Sequence, residues 1–262
     1  MRRERRLAFG EVADLYDRAR PSYPPALIDD VIEISGIAPG ECLLEVGAGT
    51  GIATRAFAER GLGVLAIEPD GCMAALARRN CAAYDAVTFE QAEFESWPGD
   101  RVSFPLVVSA QAWHWIAPQL RYVKAREALR DGGTLAAFWT HPEWERCSLR
   151  EQLQAAYRGA GVPPGLGDPM HPATTTAGRF ADWDCDIEAA AGLRCPATRA
   201  YRWTRDYSSE QYVALLGTHS DHIVLEDATR VDLLDGVAAA IDRAGGAMTM
   251  SFVSRLCVAR AC

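Results

Sequence analysis

Residues 41–51 read Glu41-Cys42-Leu43-Leu44-Glu45-Val46-Gly47-Ala48-Gly49-Thr50-Gly51, and this stretch decides the fold. A short, mostly apolar run leads into the acid Glu45, and three glycines then follow at every second position. An amphipathic segment from Ile52 to Arg60 comes next and ends at Gly61. The pattern predicts a buried strand that ends in a tight turn and opens a helix. Because glycine has no Cβ, such a turn can fold sharply and bring its backbone close to a ligand.

The alternation of strand and helix continues to about residue 140. Further apolar runs of strand length follow the first strand, and helical periods separate most of them. These runs are Gly63–Ile67, Ala86–Glu90, Leu106–Ala110 and Thr134–Trp139. Continuous apolar strands joined by helical crossovers favour a parallel sheet with both faces covered. We therefore expect an α/β fold over residues 40–140.

The character of the chain changes after Trp139. Two late strands are predicted, at Ala197–Thr204 and Met248–Ala259, and they can add an antiparallel edge to the sheet. The passage from 159 to 190 begins with glycines and prolines and continues with polar residues. It is too long for a plain connection, so we expect it to form part of a cap over a ligand site.

Length, composition and charge exclude several classes of protein. With 262 residues the chain is long enough for a large core, and its 49% apolar and 24% charged residues are ordinary for a globular protein. The net charge of −8 argues against duplex DNA or an anionic membrane as a partner, because such partners select a basic surface. We expect neither a nucleic-acid partner nor a membrane partner.

Targeting and metal signals are missing from the sequence. The basic start from Met1 to Arg6 is not followed by the apolar core of a signal peptide, and no run approaches the ~20 apolar residues that span a bilayer. The eight cysteines contain no C-x-x-C pair. His219 and His222 are three residues apart but have no evident third ligand. We expect a cytoplasmic protein with reduced cysteines and no metal site.

Two ligand types fit a glycine turn at the carboxyl end of a first parallel strand: a dinucleotide and S-adenosylmethionine. The dinucleotide pattern G-x-G-x-x-G would place its third glycine at Ile52, whereas the third glycine of this chain is Gly51. A carboxylate at Glu45, just before the turn, would also repel a diphosphate and attract a cation. The spacing therefore favours the sulfonium ligand, and a nicotinamide-dependent oxidoreductase is the weaker alternative.

The stretch from Glu45 to Gly51 resembles the first motif of the class I S-adenosylmethionine-dependent methyltransferases. This resemblance implies their Rossmann-like fold, a mostly parallel seven-stranded sheet with an antiparallel edge strand and a helical cap. It implies that Glu68, at the end of the second strand, accepts hydrogen bonds from both ribose hydroxyls, a strong charge-assisted arrangement. It also implies that Met73 packs on the adenine and that Ala92-Glu93-Phe94 borders the adenine amino group.

A second signature, Ser109-Ala110-Gln111-Ala112-Trp113-His114-Trp115, is similar to the A-Q-A-[aromatic]-H-[aromatic] string of a small-molecule branch of that family. The arm from Tyr16 to Pro24 and the late segment from Leu215 to Ser220 resemble the same branch. Phe104-Pro105-Leu106 departs from the branch, which often has an acid before this strand, and we expect only a packing consequence. The resemblance covers nearly the whole chain, although only residues 45–115 are specific.

The predicted site residues are those that match these motifs. The predicted cofactor-binding residues are Glu45, Gly47, Ala48, Gly49, Thr50, Gly51, Glu68, Pro69, Met73, Ala92, Glu93, Phe94, Ala110, Gln111, Trp115, Tyr16 and Arg20. The predicted substrate residues are Tyr23, Trp113, His114 and Trp139, and Trp139 is included because it ends the fifth strand on the ligand side of the sheet. For Tyr16, Arg20 and Tyr23, simple packing of the arm is an equal alternative.

We expect a single methyltransferase domain over residues 1–262. Its predicted parts are an N-terminal arm or lid (1–36), a cofactor-binding core (40–140), a cap insertion (about 141–220), and a terminal helix with an edge strand (221–262). S-adenosylmethionine is the expected cofactor, and a small molecule is the expected partner. Monomeric and homo-oligomeric states are both open.

The expected reaction is methyl transfer from S-adenosylmethionine to a small molecule such as a specialised metabolite. Transfer from a sulfonium is an in-line displacement, so positioning of the two reactants can supply roughly 7–11 kcal/mol. A hydroxyl or amine acceptor must also lose a proton, and a histidine can take it. His114 is therefore either a catalytic base or a residue that packs around the cofactor pocket. A non-catalytic protein that binds S-adenosylmethionine is the alternative.

Overall fold

A computed structural model of the chain describes residues 8–99, 104–162 and 192–262. Its strands are β1 (Cys42–Val46), β2 (Gly63–Ile67), β3 (Val87–Glu90), β4 (Phe104–Ala110), β5 (Leu129–Pro142), β6 (Leu193–Ser208) and β7 (Ala247–Ala261). They form one seven-stranded sheet in the order β3-β2-β1-β4-β5-β7-β6. The pairs from β3 to β5 are parallel, and an antiparallel edge completes the sheet. The predicted fold class is therefore confirmed.

Helices occupy most of the connections between these strands. They are α1 (Ala13–Ala19), α2 (Pro25–Ser35), α3 (Ile52–Ala58), α4 (Gly71–Asn80), α5 (Pro118–Ala128), α6 (Arg150–Gly159), α7 (Ser209–Leu216), α8 (Ser220–Ile223) and α9 (Asp227–Arg243). A short 3-10 turn, Trp113–Trp115, follows β4. Among the described helices, none is long and apolar enough to cross a membrane. The predicted cap passage from 159 to 190 lies mostly outside the described residues.

The apolar sequence of β1 reflects its central position in the sheet. Parallel neighbours flank it on both sides, and Leu43, Leu44 and Val46 are all buried. Every residue of β4 is buried as well. A strand covered on both faces leaves no room for the polar alternation of a half-exposed strand. The same burial explains why these strands could be recognised as mostly apolar runs.

Contacts divide the chain into two compact units. The core unit contains residues 22–140, 182–201 and 254–262, and the second unit contains residues 1–21, 141–181 and 202–253. Each has its own apolar cluster. Leu27, Phe57, Leu106 and Phe138 belong to the first cluster, and Leu153, Leu216, Leu233 and Met250 belong to the second. The predicted core of 40–140 lies within the core unit, while the single domain and its four parts stay a prediction.

The register of the parallel strands brings several turns to one edge of the sheet. Val46 pairs with Ile67, and Ala110 pairs with Phe138, so the carboxyl ends of these parallel strands lie at one edge of the sheet, where β5 continues to Pro142. This edge carries the glycine turn 47–51, Glu68 directly after β2, the 111–115 segment and the last residues of β5. This edge of the core unit carries most of the predicted site.

Candidate active site

The glycine turn after β1 depends on left-handed backbone conformations. Gly47, Gly49 and Gly51 have φ values of 76°, 58° and 85°, a region that L side chains rarely adopt. The backbone N–H of Gly47 donates to the carbonyl oxygen of Ile67 at 2.8 Å, which fastens the turn to the end of β2. Helix α3 then begins at Ile52. The predicted strand, turn and helix are confirmed.

The three glycines differ in what surrounds them. A Cβ added at Gly47 would lie 2.4 Å from the Cβ of Ala112, so the turn and the segment after β4 touch at this point. A Cβ added at Gly51 would lie 3.0 Å from the sulfur of Cys81. A Cβ added at Gly49 would meet nothing within 4 Å. The middle glycine therefore borders open space, which lets a ligand approach its backbone.

The carboxylate of Glu68 is fixed by two backbone donors. Its Oε2 accepts from the N–H of Gly49 at 2.8 Å, and its Oε1 accepts from the N–H of Asp70 at 2.9 Å. The residue is only 8% exposed. Each carboxylate oxygen has two lone pairs, so both can accept a further hydrogen bond. This arrangement holds the turn in place, and the ribose contact that the family resemblance implies for Glu68 stays a prediction.

Asp70 is a structural residue of this edge to which the sequence analysis gave no role. Its carboxylate caps α4 by accepting from the backbone N–H groups of Cys72 and Met73. An aspartate directly before a helical period is the usual signal of such a cap. The cap fixes the first turn of α4, which carries Met73, one of the predicted adenine contacts.

The predicted adenine contacts differ in exposure. Met73 and Phe94 are each 3% exposed, so both are mainly core side chains. Ala92 is half-buried, and Glu93 is exposed. Pro69 is half-buried beside Glu68. Their roles in cofactor binding stay predictions.

Glu45 does not present a negative charge to a ligand. Its side chain is fully buried, and Oε2 accepts from the Thr54 hydroxyl at 2.6 Å. Oε1 has no partner among the described residues. Burial raises the pKa of this carboxyl to about 8, so at neutral pH it is mainly protonated. The argument that its charge selects a sulfonium over a diphosphate is therefore wrong, and only the glycine spacing still supports that choice.

Ala48 and Thr50 lie inside the turn. Ala48 is 7% exposed and Thr50 is 1% exposed. The carbonyl oxygen of Thr50 accepts from the side-chain amide of Asn80 at 2.9 Å, which ties the turn to the end of α4. Asn80 lies thirty positions downstream, so no local pattern indicated this contact. These residues shape the turn, and direct contact with the cofactor stays a prediction.

Gln111 has an unusual backbone at the end of β4. Its φ is 60°, and it is the one non-glycine residue with a positive φ in the part of the chain that the structure describes. Its backbone N–H donates to the carbonyl oxygen of Phe138 at 2.9 Å, and its side-chain amide donates to that of Thr140 at 3.1 Å. Such a conformation costs about 1–2 kcal/mol and persists where its surroundings hold it. Two hydrogen bonds to β5 do so here.

The three aromatic residues after Gln111 have different environments. Trp113 is fully buried and packs against Phe94 and Tyr122, with ring centroids 6.3 and 5.7 Å away. His114 is exposed, and the Trp115 ring lies 4.7 Å from it. Trp113 therefore contributes to the core, and its predicted contact with a substrate stays untested. His114 is the exposed residue of this turn, and its predicted role stays untested.

Two of the predicted substrate residues meet directly. The indole Nε1–H of Trp139 donates to Nδ1 of His114 at 3.1 Å. Trp139 is 8% exposed, so this side chain is held by its packing. Tyr23 packs edge-on against Phe138, the neighbour of Trp139, with ring centroids 4.8 Å apart. The prediction that Trp139 ends the fifth strand is wrong, because β5 continues to Pro142. Positions 138 and 139 of this strand still connect three of the four predicted substrate positions within the core unit.

Tyr16 and Arg20 belong to the second unit. The Arg20 guanidinium donates to the hydroxyl and to the carbonyl oxygen of Thr218, at 2.8 and 3.0 Å, and lies over the Tyr16 ring at 4.9 Å. The arm and the segment 215–220, which both resemble the small-molecule branch, are therefore in contact with each other. A packing role for the arm accounts for these bonds, and a cofactor role for Tyr16 and Arg20 stays a prediction.

Comparison with known proteins places this geometry in a family. The family model described as a methyltransferase domain matches residues 43–133. An uncharacterized methyltransferase from Mycobacterium tuberculosis is 32% identical over 231 residues, which cover 83% of this chain and 89% of that protein. A probable S-adenosylmethionine-dependent methyltransferase from Saccharomyces cerevisiae is 27% identical over 149 residues, or 55% of this chain and 50% of that protein.

A solved structure extends the likeness in fold. A phosphoethanolamine N-methyltransferase 2 from Haemonchus contortus, in complex with phosphomonomethylethanolamine and S-adenosylhomocysteine, has a TM-score of 0.56 and 14% identity. The match covers 96% of this chain and 57% of that chain. The predicted enzyme class and cofactor are confirmed, and the oxidoreductase alternative has no support in these comparisons. The chain belongs to the S-adenosylmethionine-dependent methyltransferases.

Proposed function

We propose that the enzyme methylates a small molecule that binds beside His114. The observation that carries the proposal is the contact between Gly47 and Ala112, where an added Cβ would come within 2.4 Å. This contact joins the cofactor turn to the segment that carries the exposed His114 two residues later. A donor held at the turn and an acceptor held at the imidazole would therefore be neighbours.

The residues of the core unit have separate tasks in this reaction. Glu68 would hold the ribose through its two carboxylate oxygens, and the open side of Gly49 would admit the rest of the cofactor. When bound, S-adenosylmethionine supplies a methyl group that its sulfonium charge has already activated. The protein then has to align the acceptor and exclude water, effects that can supply roughly 7–11 kcal/mol.

The surroundings of His114 favour a small acceptor with an apolar part. Trp115 and Trp139 both contact the imidazole, and aromatic rings bind apolar groups well. The net charge of −8 argues against a nucleic-acid substrate, since phosphate backbones select basic surfaces. A small molecule with an apolar portion fits both observations.

The direct test is methyl transfer to a panel of small molecules. The purified chain would be incubated with S-adenosylmethionine labelled in its methyl group and with carboxylic acids, phenols, alcohols, amines and thiols. We expect a labelled product and equimolar S-adenosylhomocysteine from at least one class. Labelling of RNA or of a protein, with no small-molecule product, would contradict the proposal.

A variant of Glu68 tests the cofactor half of the proposal. Glu68→Ala should weaken S-adenosylhomocysteine binding by at least ~1.5 kcal/mol, the scale of a hydrogen bond to a charged group. Isothermal titration calorimetry measures this change. Glu59→Ala removes an exposed acid at the end of α3 and is the matched control, which should bind as the unmodified protein does. Equal affinity of the Glu68→Ala protein would remove Glu68 from the site.

A further inference from the structure

The hydrogen bond between Trp139 and His114 determines where the imidazole carries its proton. An indole N–H can only donate, so Nδ1 of His114 must be the acceptor in this pair. A neutral imidazole has one N–H and one lone pair. With the lone pair on Nδ1 directed at Trp139, the proton is on Nε2. The N–H donor of this exposed ring is therefore at Nε2.

Both members of this pair are held in place by their neighbours. Trp139 is part of β5 and is 8% exposed. The residues on either side of it, Phe138 and Thr140, accept hydrogen bonds from Gln111. Trp115 contacts the imidazole ring at 4.7 Å. Supporting groups of this kind fix the tautomer and the orientation of a functional histidine.

We propose that Trp139 is a positioning residue that keeps His114 in its Nε2–H form, so that His114 donates a hydrogen bond to the acceptor and does not act as its base. A general base needs an unprotonated nitrogen within hydrogen-bonding distance of the proton it removes. The unprotonated nitrogen of His114 faces the indole of Trp139. This inference rests on the proposed function, because it assigns a role toward the same acceptor.

A donor at this position selects acceptors that have no proton to lose. Alcohols, thiols and protonated amines need a base, whereas a carboxylate is already ionised at neutral pH. One carboxylate oxygen can accept from Nε2–H of His114 while the other attacks the methyl group. The new O–CH3 bond forms from an oxygen lone pair as the C–S bond breaks, and that electron pair returns to sulfur. The products are a methyl ester and S-adenosylhomocysteine, and no proton is released.

Nitrogen NMR tests the tautomer without any acceptor. The protein labelled with ¹⁵N-histidine would be measured at neutral pH, with the His114 signals assigned by their loss in His114→Gln. We expect one tautomer, with Nε2 protonated and Nδ1 unprotonated. Trp139→Phe should give a mixture of both tautomers, whereas Trp203→Phe, a matched change at a tryptophan of the second unit, should leave the signals unchanged. A proton on Nδ1 in the unmodified protein would overturn the proposal.

Two substitutions of His114 separate a donor from a base. The amide of Gln can donate from a position near that of Nε2, but it cannot take a proton at neutral pH. With a carboxylic acid acceptor we expect His114→Gln to keep kcat/KM within about fivefold, and His114→Ala to lose about 10- to 100-fold, the range for a hydrogen bond to a charged group. Equal losses in both variants would overturn the proposal.

The acceptor panel gives a second criterion. Carboxylic acids should be the methylated class, and the pH profile of kcat/KM should have no acid-side decline in the range where histidine titrates. A different result would assign His114 as a base: alcohols or amines are methylated, kcat/KM falls on the acid side, and this fall is absent in His114→Gln. If no small molecule is methylated, the proposed function fails, and the NMR result still reports on the Trp139–His114 pair.

Discussion

At the ends of β1 and β2 the candidate site is held together by backbone groups, whereas at the ends of β4 and β5 it is held together by side chains. In the first region the N–H groups of Gly49 and Asp70 bind Glu68, and three glycines set the path of the chain. In the second region the Trp139 indole binds His114, and the Gln111 amide binds the backbone of β5. The two regions differ in how substitutions should act on them.

A backbone-built region depends on conformation, so adding even one methyl group can disturb it. A side-chain-built region depends on pairs of functional groups, so a substitution removes one bond and leaves the path of the chain intact. We therefore expect the largest effects on stability in the first region. The following variants test this difference, in order of decreasing expected effect.

Glu45 is the buried side chain beneath the backbone-built region, and it should make stability depend on pH. Its pKa is about 8 in the folded protein against 4.5 as the ordinary value. The folded state therefore holds a proton that the unfolded state releases, and the stabilisation is lost as pH rises from about 4.5 to about 8. The loss is on the order of 4 kcal/mol as an upper bound.

Urea denaturation at low and at slightly alkaline pH measures this loss. Glu45→Gln stays neutral at every pH, so its unfolding free energy should change less with pH than that of the unmodified protein. Glu59→Gln replaces an exposed acid, so its unfolding free energy should change with pH as much as that of the unmodified protein. The same pH dependence of unfolding free energy in Glu45→Gln and in the unmodified protein would show that Glu45 does not hold the proton.

Gly47 should tolerate a methyl group far less well than Gly49. Gly47→Ala forces a Cβ to within 2.4 Å of the Ala112 Cβ at a positive φ, and Gly49→Ala meets open space at a similar φ. Overpacking and backbone strain together should cost Gly47→Ala about 3 kcal/mol of unfolding free energy. Gly49→Ala should cost about 1 kcal/mol, from strain alone.

Chemical denaturation of both variants gives this comparison directly. A small and equal cost at the two positions would mean that the turn and the 111–115 segment can separate without penalty. The contact on which the proposed function depends would then be weak. A cost confined to Gly47→Ala would support the view that the two regions meet there.

Substitutions of Gln111 should have the smallest effect on unfolding free energy, and glycine should be the more stabilising replacement. At an ordinary φ, Ala is more stabilising than Gly, but at a φ of 60° the order reverses. Both variants lose the hydrogen bond from the Gln111 side-chain amide to Thr140. The difference between their unfolding free energies therefore reports the backbone strain alone. We expect Gln111→Gly to be more stable than Gln111→Ala by about 1 kcal/mol in urea denaturation. The opposite order would contradict a strained backbone at this residue.

Much of the fold was predictable because its signals are local. The bounds of β2 agree with the predicted run Gly63–Ile67, and β1 lies in the mostly apolar run before the glycines, since strands covered on both faces are rich in apolar residues. The first turn of the site was predictable for a similar reason, because glycines at alternate positions permit the positive φ values of a tight turn within five residues. By contrast, α8 was not predicted, since a helix of four residues is too short to show the helical repeat of apolar positions.

The sequence by itself determined the parallel sheet and the glycine turn, because steric limits on φ and the period of apolar residues act over a few positions. The glycine spacing and the resemblance of residues 45–51 to the methyltransferase motif indicated the cofactor. Only the tertiary structure decided that burial raises the pKa of Glu45, that Gln111 has a positive φ, and that the indole of Trp139 meets the imidazole of His114. Those properties arise from burial and from pairs 25 to 29 positions apart. The packing of the whole chain brings such groups together, and no local pattern encodes it.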